Sequence, residues 1–281
     1  MNIDTTVLTG SSHTVCEDNA CCDVDIGSGV LSDGCSGSKD TCVGSMILSR
    51  LVLKYLKEGK FPEDYMGEIL VDALSIVRHI GTSIRSLDAT VSVISPKEVF
   101  MWGDGFVGLK FPDKIVVSEL RYEMKNVGKS LPLYPSYGLK ENTENFNKYG
   151  KIISDSENNE LYEEVKTTYN LDGEIIDSIS QTMMFQGKYN DPFSPHLMII
   201  PGDVECAVIT SDGFGSFIAP GPDMSQIKME GHEALFRFLS TIKNYNGVFI
   251  HRWWKVFMRN LLKEQRWHHT DDVSIVGLHN E

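Results

Sequence analysis

Basic residues are in short supply: 26 Lys and Arg stand against 39 Asp and Glu in 281 residues, so the formal charge at pH 7 is 26 − 39 = −13. Affinity for phosphate backbones comes chiefly from Lys and Arg, and a nucleic-acid partner is therefore disfavoured. Long apolar runs are missing too. The longest uncharged stretch, residues 5–16, is far shorter than the roughly 20 predominantly apolar residues of a membrane span, so no bilayer crossing is expected. The opening MNIDTTVLTG lacks a basic stretch followed by an apolar one; no secretory signal is expected, and the expected compartment is the cytoplasm. There is no GxSxG turn for a serine hydrolase and no GxxxxGK[ST] loop for a P-loop NTPase. CxxC pairs are also absent, although Cys16, Cys21, Cys22, Cys35 and Cys42 crowd the N-terminal region. With no His at zinc-finger distance behind them, free thiols in a reducing compartment are expected rather than a zinc or disulfide cluster.

Hydrophobic residues make up 41% of the chain and aromatics 10%, enough to bury a sizeable core. Residues 19–31 and 89–110 carry β-branched and apolar runs (ATVSVIS, EVFMW, FVGLKF) punctuated by Gly and Asp, which predicts short strands. Helical spacing predicts a helix over 41–58, stopped by Gly59, and a second over about 63–84 behind Pro62. Residues 118–194 are polar, with strand-like KIISDS and LYEEVKTTY, and read as an elaboration of the main sheet. LMIIPGDVECAVITSDGF suggests strand, turn, strand, followed by helices near 231–243 and 247–266 and a closing strand in DDVSIVGL. On the last helix Trp253, Val256, Phe257 and Leu261 fit core packing, opposite a basic stripe from Arg252 to Arg266 that is a solvated face or a dock for an acidic partner. The pattern implies one α+β domain over 1–281, with helices outside packed sheets.

Acidic residues recur where strands should end: Glu17-Asp18, Asp33-Gly34, Asp104-Gly105, Asp212-Gly213 and Asp271-Asp272. One Asp-Gly is ordinarily a turn, as expected for Asp172-Gly173. Five acidic strand ends are another matter, because clustered carboxylates raise one another's pKa unless cations neutralise them. Hard divalent ions such as Mg²⁺ or Mn²⁺ prefer oxygen ligands, and two of them about 3.5–4 Å apart can activate a shared water for in-line attack on phosphorus. His268-His269 sit beside this set, but neighbours on a strand face opposite ways, so at most one could join it.

The order of these pieces resembles the metal-dependent type 2C Ser/Thr protein phosphatases, especially compact bacterial and phage-type members. The resemblance rests on Gly10-Ser-Ser-His13, Cys16-Glu17-Asp18-Asn19, Leu31-Ser-Asp33-Gly34, Ala89-Thr90-Val91, Gly103-Asp104-Gly105, Thr210-Ser-Asp212-Gly213-Phe214 and Thr270-Asp271-Asp272-Val273-Ser274, covering residues 1–110 and 196–279. It implies a four-layer α-β-β-α sandwich of two mainly antiparallel sheets flanked by helices. It also implies that Glu17 and the Gly34 carbonyl bind one Mn²⁺ or Mg²⁺, that Asp33 bridges to a second ion held by Asp212 and Asp271, and that Asp104 with Asp212 takes a looser third. Asp18 would orient the cluster, and Asp272 would support the turn before the last strand. Two departures stand out: His13 occupies the place of the phosphate-gripping Arg of eukaryotic members, and Cys35 the place of their proposed general-acid His.

The implied activity is hydrolysis of phosphoserine and phosphothreonine in proteins by water held between two metal ions, with no covalent phosphoenzyme. Two alternatives stay open: a catalytically silent binding or regulatory module on the same fold, and a phosphatase of small phosphorylated metabolites. Residues 118–194 and 213–230 are expected to border the mouth of the site. Oligomeric state is not legible.

Overall fold

In the last strand, successive side chains divide between two cores. Ile275 packs in a cluster with Leu239, Phe249, Trp254 and Phe257, whereas Val276 and Leu278 pack with Leu31, Met101 and Ile209. The same two-residue period splits Val30 from Leu31 and Phe100 from Met101, the first of each pair joining a third cluster with Leu48, Ile69 and Leu70. Strands buried on both faces between three apolar clusters require four layers.

The computed structural model describes residues 1–121, 123–124, 129–130, 134–142, 160–184 and 195–280. In chain order the strands are β1 (Asn2–Leu8), β2 (Asn19–Asp23), β3 (Ser28–Ser32), β4 (Val91–Ile94), β5 (Glu98–Trp102), β6 (Gly105–Lys110), β7 (Lys114–Arg121), β8 (Glu123–Met124), β9 (Lys129–Ser130), β10 (Glu160–Asn170), β11 (Ile175–Met184), β12 (His196–Ile199), β13 (Cys206–Thr210), β14 (Phe217–Pro220), β15 (Gln226–Lys228), β16 (His268–His269) and β17 (Val273–His279). The helices are α1 (Thr41–Lys57), α2 (Pro62–Ile80), α3 (Gly231–Thr241) and α4 (Phe249–Gln265).

One sheet has the order β1-β17-β13-β6-β7-β10-β11 and the other β12-β5-β4-β3-β2, antiparallel throughout. Helices α1 and α2 cover the five-stranded sheet and α3 and α4 the seven-stranded one, giving the α-β-β-α sandwich the sequence implied. On α2, Met66, Ile69, Leu70, Ala73, Leu74 and Val77 form the buried stripe, and each of these side chains larger than Ala contributes about 1.5–3 kcal/mol by leaving water. Pro62 starts that helix, with Glu63 and Asp64 in the first turn and Arg78 and His79 in the last, matching the helix dipole at both ends.

Several expectations shift. Helix α2 ends at Ile80 rather than near residue 84, because Gly81 takes a left-handed φ of 78° and a 3₁₀ turn over Ile84–Leu87 follows. The strand, turn, strand pattern around Pro201-Gly202-Asp203 holds as β12, a turn and β13, but the two strands do not pair with each other. Ile200 N–H donates to the Lys97 carbonyl at 2.7 Å and Glu205 N–H to the Lys110 carbonyl at 2.9 Å, so the link carries the chain from the five-stranded sheet to the seven-stranded one. On α4 Trp253 packs on the core as expected but stays half-buried, donating to the Asn244 carbonyl at 2.8 Å, and Trp254 is the fully buried indole. Strand β1, which no alternating pattern announced, pairs along the whole of β17. LYEEVKTTY lies in β10, joined to β11 by the turn at Asp172-Gly173, whereas KIISDS falls outside the described residues. All six cysteines are free. Among the described residues no helix is long and apolar enough to cross a membrane.

Candidate metal centre

The acidic turns meet at one end of the sandwich because backbone contacts tie them in pairs. Asp33 follows β3, and Thr90 fixes it: Thr90 N–H donates to the Asp33 carbonyl at 2.8 Å, and Asp33 N–H donates to Thr90 Oγ1 at 3.3 Å. Asp104 fills the turn between β5 and β6, Asp212 leaves β13, and Asp271-Asp272 lead into β17. Gly213 presses so closely on this last turn that a Cβ there would lie 1.8 Å from the Asp272 carbonyl oxygen, which excludes every other residue. The buried Asp272 accepts from Gly10 N–H at 2.8 Å and Glu17 N–H at 2.6 Å, drawing the N-terminal loop onto the C-terminal one. His13 completes that junction, with Nδ1 3.0 Å from Asp272 Oδ2 and Nε2 3.4 Å from Asp271 Oδ1.

Glu17 stands at the start of α1, where Thr41 Oγ1 donates to its Oε1 at 2.9 Å and Ser45 Oγ to its carbonyl at 2.5 Å. Gly34 adjoins it: a Cβ there would meet the Glu17 carbonyl oxygen at 2.7 Å.

The remaining carboxyls act on one another. Burial pushes Asp33 well above the usual carboxylate range, and the charges of Asp18, Asp212 and Asp104 push it further. Asp18 is buried and raised to about 7, chiefly by desolvation, against the pull of Asp33 and the nearby Ser274 and Ser211 hydroxyls. Asp104 is also raised to about 7, by burial and then by Asp212. Asp212 opens onto solvent while protein crowds its other sides; that crowding raises it, and Asp271 adds to the effect.

Does this set suit divalent cations? The donors are hard oxygens, they repel one another, and Asp18 Oδ2 is buried with no hydrogen-bond partner. Each feature is relieved by positive charge, so the residues fit the ions the sequence implies. Among the described residues, however, no three His, Cys, Asp or Glu side chains are arranged to enclose an ion as they stand.

A cleft of about 290 Å³ opens beside the cluster, with Asp104, Asp212 and Asp271 in its wall. His13 is not part of that wall. Two cations are, Arg121 and Lys228, neither of which was singled out in the sequence. Arg121 grips Glu119 with two bonds of 2.6 and 2.7 Å. Lys228 lies within residues 213–230, the segment expected at the mouth, but a lone Lys in a polar loop carries no signal of its own.

His269 packs against Phe217 and Trp254, its Nδ1 2.9 Å from the Asp271 carbonyl oxygen, while His268 is exposed. Beside Asp33, Cys35 N–H donates to the Asp88 carbonyl at 2.9 Å, and the Cys35 thiol meets the buried Tyr134 hydroxyl. Asp88 is buried and went unnoticed in the sequence. It accepts from Ser136 Oγ at 2.8 Å, Asn142 Nδ2 at 3.3 Å and Ser38 Oγ at 2.8 Å, pinning residues 134–142 against the Cys35 turn.

No family model and no curated protein sequence matches the chain. Solved structures are similar to it. The PP2C phosphatase domain with a fragment of the regulatory domain of the cell fate determinant SpoIIE from Bacillus subtilis superposes with a TM-score of 0.50 at 13% identity, over 99% of this chain and 64% of that one. The PPM Ser-Thr phosphatase MsPP from Mycobacterium smegmatis in complex with cacodylate gives 0.46 at 13% identity, over 100% and 99%. The serine/threonine phosphatase Stp1 from Staphylococcus aureus gives 0.43 at 12% identity, over 99% and 94%. At such identities the SpoIIE likeness establishes the fold alone: the chain has the fold of a PP2C phosphatase domain.

Proposed function

We propose that residues 1–281 work as one catalytic domain, a metal-dependent phosphatase that removes phosphate from phosphoserine and phosphothreonine in proteins. The observation that carries this reading is the gathering of Asp18, Asp33, Asp104 and Asp212 from four distant segments into one group, each carboxyl raised first by burial and Asp33 further by the charges of the other three. Such a group is unfavourable unless cations bind it. The PP2C fold and the order of the acidic turns supply the phosphomonoester and its protein context.

In this reading Glu17 and the Gly34 carbonyl would hold one Mn²⁺ or Mg²⁺, Asp33 would serve this ion and a second one held by Asp212 and Asp271, and Asp104 with Asp212 would admit a third. Bound there, the ions supply Lewis acidity toward water and the phosphoryl oxygens and neutralise developing negative charge. Asp18 holds Asp33 in place. His13, with its charge engaged by Asp271 and Asp272, orients the loops that carry Glu17 and Asp271 rather than gripping substrate. The cleft lined by Asp104, Asp212 and Asp271 receives the phosphate. The six free thiols suit a reducing cytoplasm.

Purified protein with Mn²⁺ should hydrolyse p-nitrophenyl phosphate. Asp33→Ala and Asp212→Ala should lose more than about 100-fold, because each removes several kcal/mol of charge stabilisation. Rates indifferent to chelator and to both substitutions would refute the reading. The silent-module alternative draws support only from the open arrangement of the carboxyls, and calorimetric titration with Mn²⁺ tests it, since absence of binding would favour the silent module. Phosphopeptides tested against nucleotides and sugar phosphates separate a protein substrate from a metabolite.

A further inference from the structure

Once cations are in place, a phosphomonoester dianion entering the cleft still needs something to hold the oxygens the cations do not reach. We infer that Lys228 is that group: a phosphate-binding cation fixed in the cleft wall, in the role the sequence had offered to His13. The inference rests on the phosphatase reading above and names a residue that reading does not contain.

Three observations converge on it. The first is place: Lys228 lines the same cleft as Asp104, Asp212 and Asp271. The second is availability. Among the described residues the only other Lys or Arg in that wall is Arg121, and its guanidinium is committed to Glu119 through two short bonds. His13 is held between Asp271 and Asp272. Among the described residues Lys228 has no carboxylate within ion-pairing distance, in a chain whose formal charge is −13 and in a wall that carries four acidic residues. An ammonium left unpaired among so many carboxylates is free to meet an incoming anion.

The third observation is how it is held. Lys228 ends β15, which pairs with β14 in the register Ile218↔Lys228, and β14 pairs in turn with β16 through Phe217↔His269. Strand β14 emerges from the turn that Asp212 begins, and β16 runs into Asp271. The next residue, Met229, donates its N–H to the Phe217 carbonyl at 3.0 Å, and Phe217 is fully buried. One three-stranded sheet therefore ties the strand that ends at Lys228 to the turns that carry Asp212 and Asp271. A Lys carries three rotatable donors on a flexible stem and serves phosphate as a point charge, which suits an anion that arrives and leaves each cycle.

The test uses inorganic phosphate as the probe, titrated calorimetrically into full-length protein saturated with Mg²⁺, alongside steady-state hydrolysis of p-nitrophenyl phosphate. A hydrogen bond to a charged group contributes about 1.5–3 kcal/mol, so Lys228→Ala should weaken phosphate binding by roughly 10- to 150-fold. KM should rise by a similar factor with kcat within about threefold, since the contact is made in both ground and transition states. Lys228→Arg should recover most of the affinity, Lys255→Ala on α4 should change nothing, and Mg²⁺ affinity should be the same in all four proteins. Unchanged phosphate affinity in Lys228→Ala, or a loss of Mg²⁺ affinity in step with that of phosphate, would overturn the inference. A wild-type protein that binds phosphate through Lys228 but hydrolyses nothing would overturn the phosphatase reading and leave the anion site standing.

Discussion

His13 illustrates how one side chain can be bound more tightly to structure than to substrate. Its imidazole bridges two consecutive carboxylates, and close contact with Asp272, with the charges of Asp272, Asp271 and Glu17, outweighs partial burial and raises its pKa above 6.5. Asp272 responds in kind: despite its burial, His13 and the Glu17 and Gly10 N–H groups hold it below the ordinary 3.8. His13→Ala should therefore cost about 1–3 kcal/mol, the range for leaving a buried polar group, here Asp272, short of a partner. The sign of the pH dependence follows from the raised value. The contribution is complete below pH 6.5 and fades as pH rises through the folded-state pKa, so the gap between wild-type and His13→Ala melting temperatures should be wider at pH 6 than at pH 9. Loosening of the Glu17 and Asp271 loops should also weaken Mn²⁺ by about 10- to 100-fold, while phosphate affinity at saturating metal stays put. A variant that loses phosphate affinity and keeps its metal would return His13 to the gripping role.

Between elements, the buried carboxylate of Asp88 is the main fastener near the site. It lies just after a 3₁₀ turn and gathers hydroxyl and amide donors from Ser38, Ser136 and Asn142, with Arg85 Nε at 3.5 Å. Asp88→Ala would strand several buried donors, each costing about 1–3 kcal/mol, so a loss of roughly 2–4 kcal/mol is expected in urea melts, mostly restored by Asp88→Asn. If Asp88→Ala melts like wild type, residues 134–142 do not depend on that clamp. This fastener also shows which parts of the fold the sequence could reveal. Strand ends carrying Asp-Gly were legible because the chemistry and the turn use the same residues, and α1 and α2 were legible from their apolar period. Asp88 was not, since its meaning lies in donors 48 and 54 positions away. The strands flanking Pro201-Gly202-Asp203 were legible but their partners were not, since β5 and β6 claim them for opposite sheets. Likewise Trp253 and Trp254 differ only in helical phase, and the Asn244 carbonyl decides which one stays near the surface.

At the scale of the whole molecule, the surplus of 13 negative charges is partly a socket: two divalent ions would bring the chain to −13 + 4 = −9. Without them the carboxyl cluster opposes folding in a definite pH window. Asp18 and Asp104 titrate at about 7 in the folded chain, Asp33 lies well above the ordinary range and Asp212 is raised, whereas in the unfolded chain all four titrate near 3.8. Between those values the folded protein keeps protons the unfolded chain has released, so stability is full below about pH 4 from these groups and is lost as pH climbs through about 7. His13 adds to the decline at its upper end, and Asp272, lowered instead of raised, gives up its own contribution only below pH 3.8. Melting temperatures in EDTA should therefore fall steadily from pH 5 to pH 8. Saturating Mn²⁺ should flatten or reverse that slope, because ions prefer the deprotonated cluster and add about 2.7 kcal/mol at 100 times their dissociation constant. Asp33→Asn should make the EDTA profile shallower by removing one of the raised groups and its charge from the others. A metal-free protein whose melting temperature is level from pH 5 to 8, and indifferent to Mn²⁺, would mean that the four carboxyls do not form one electrostatic unit.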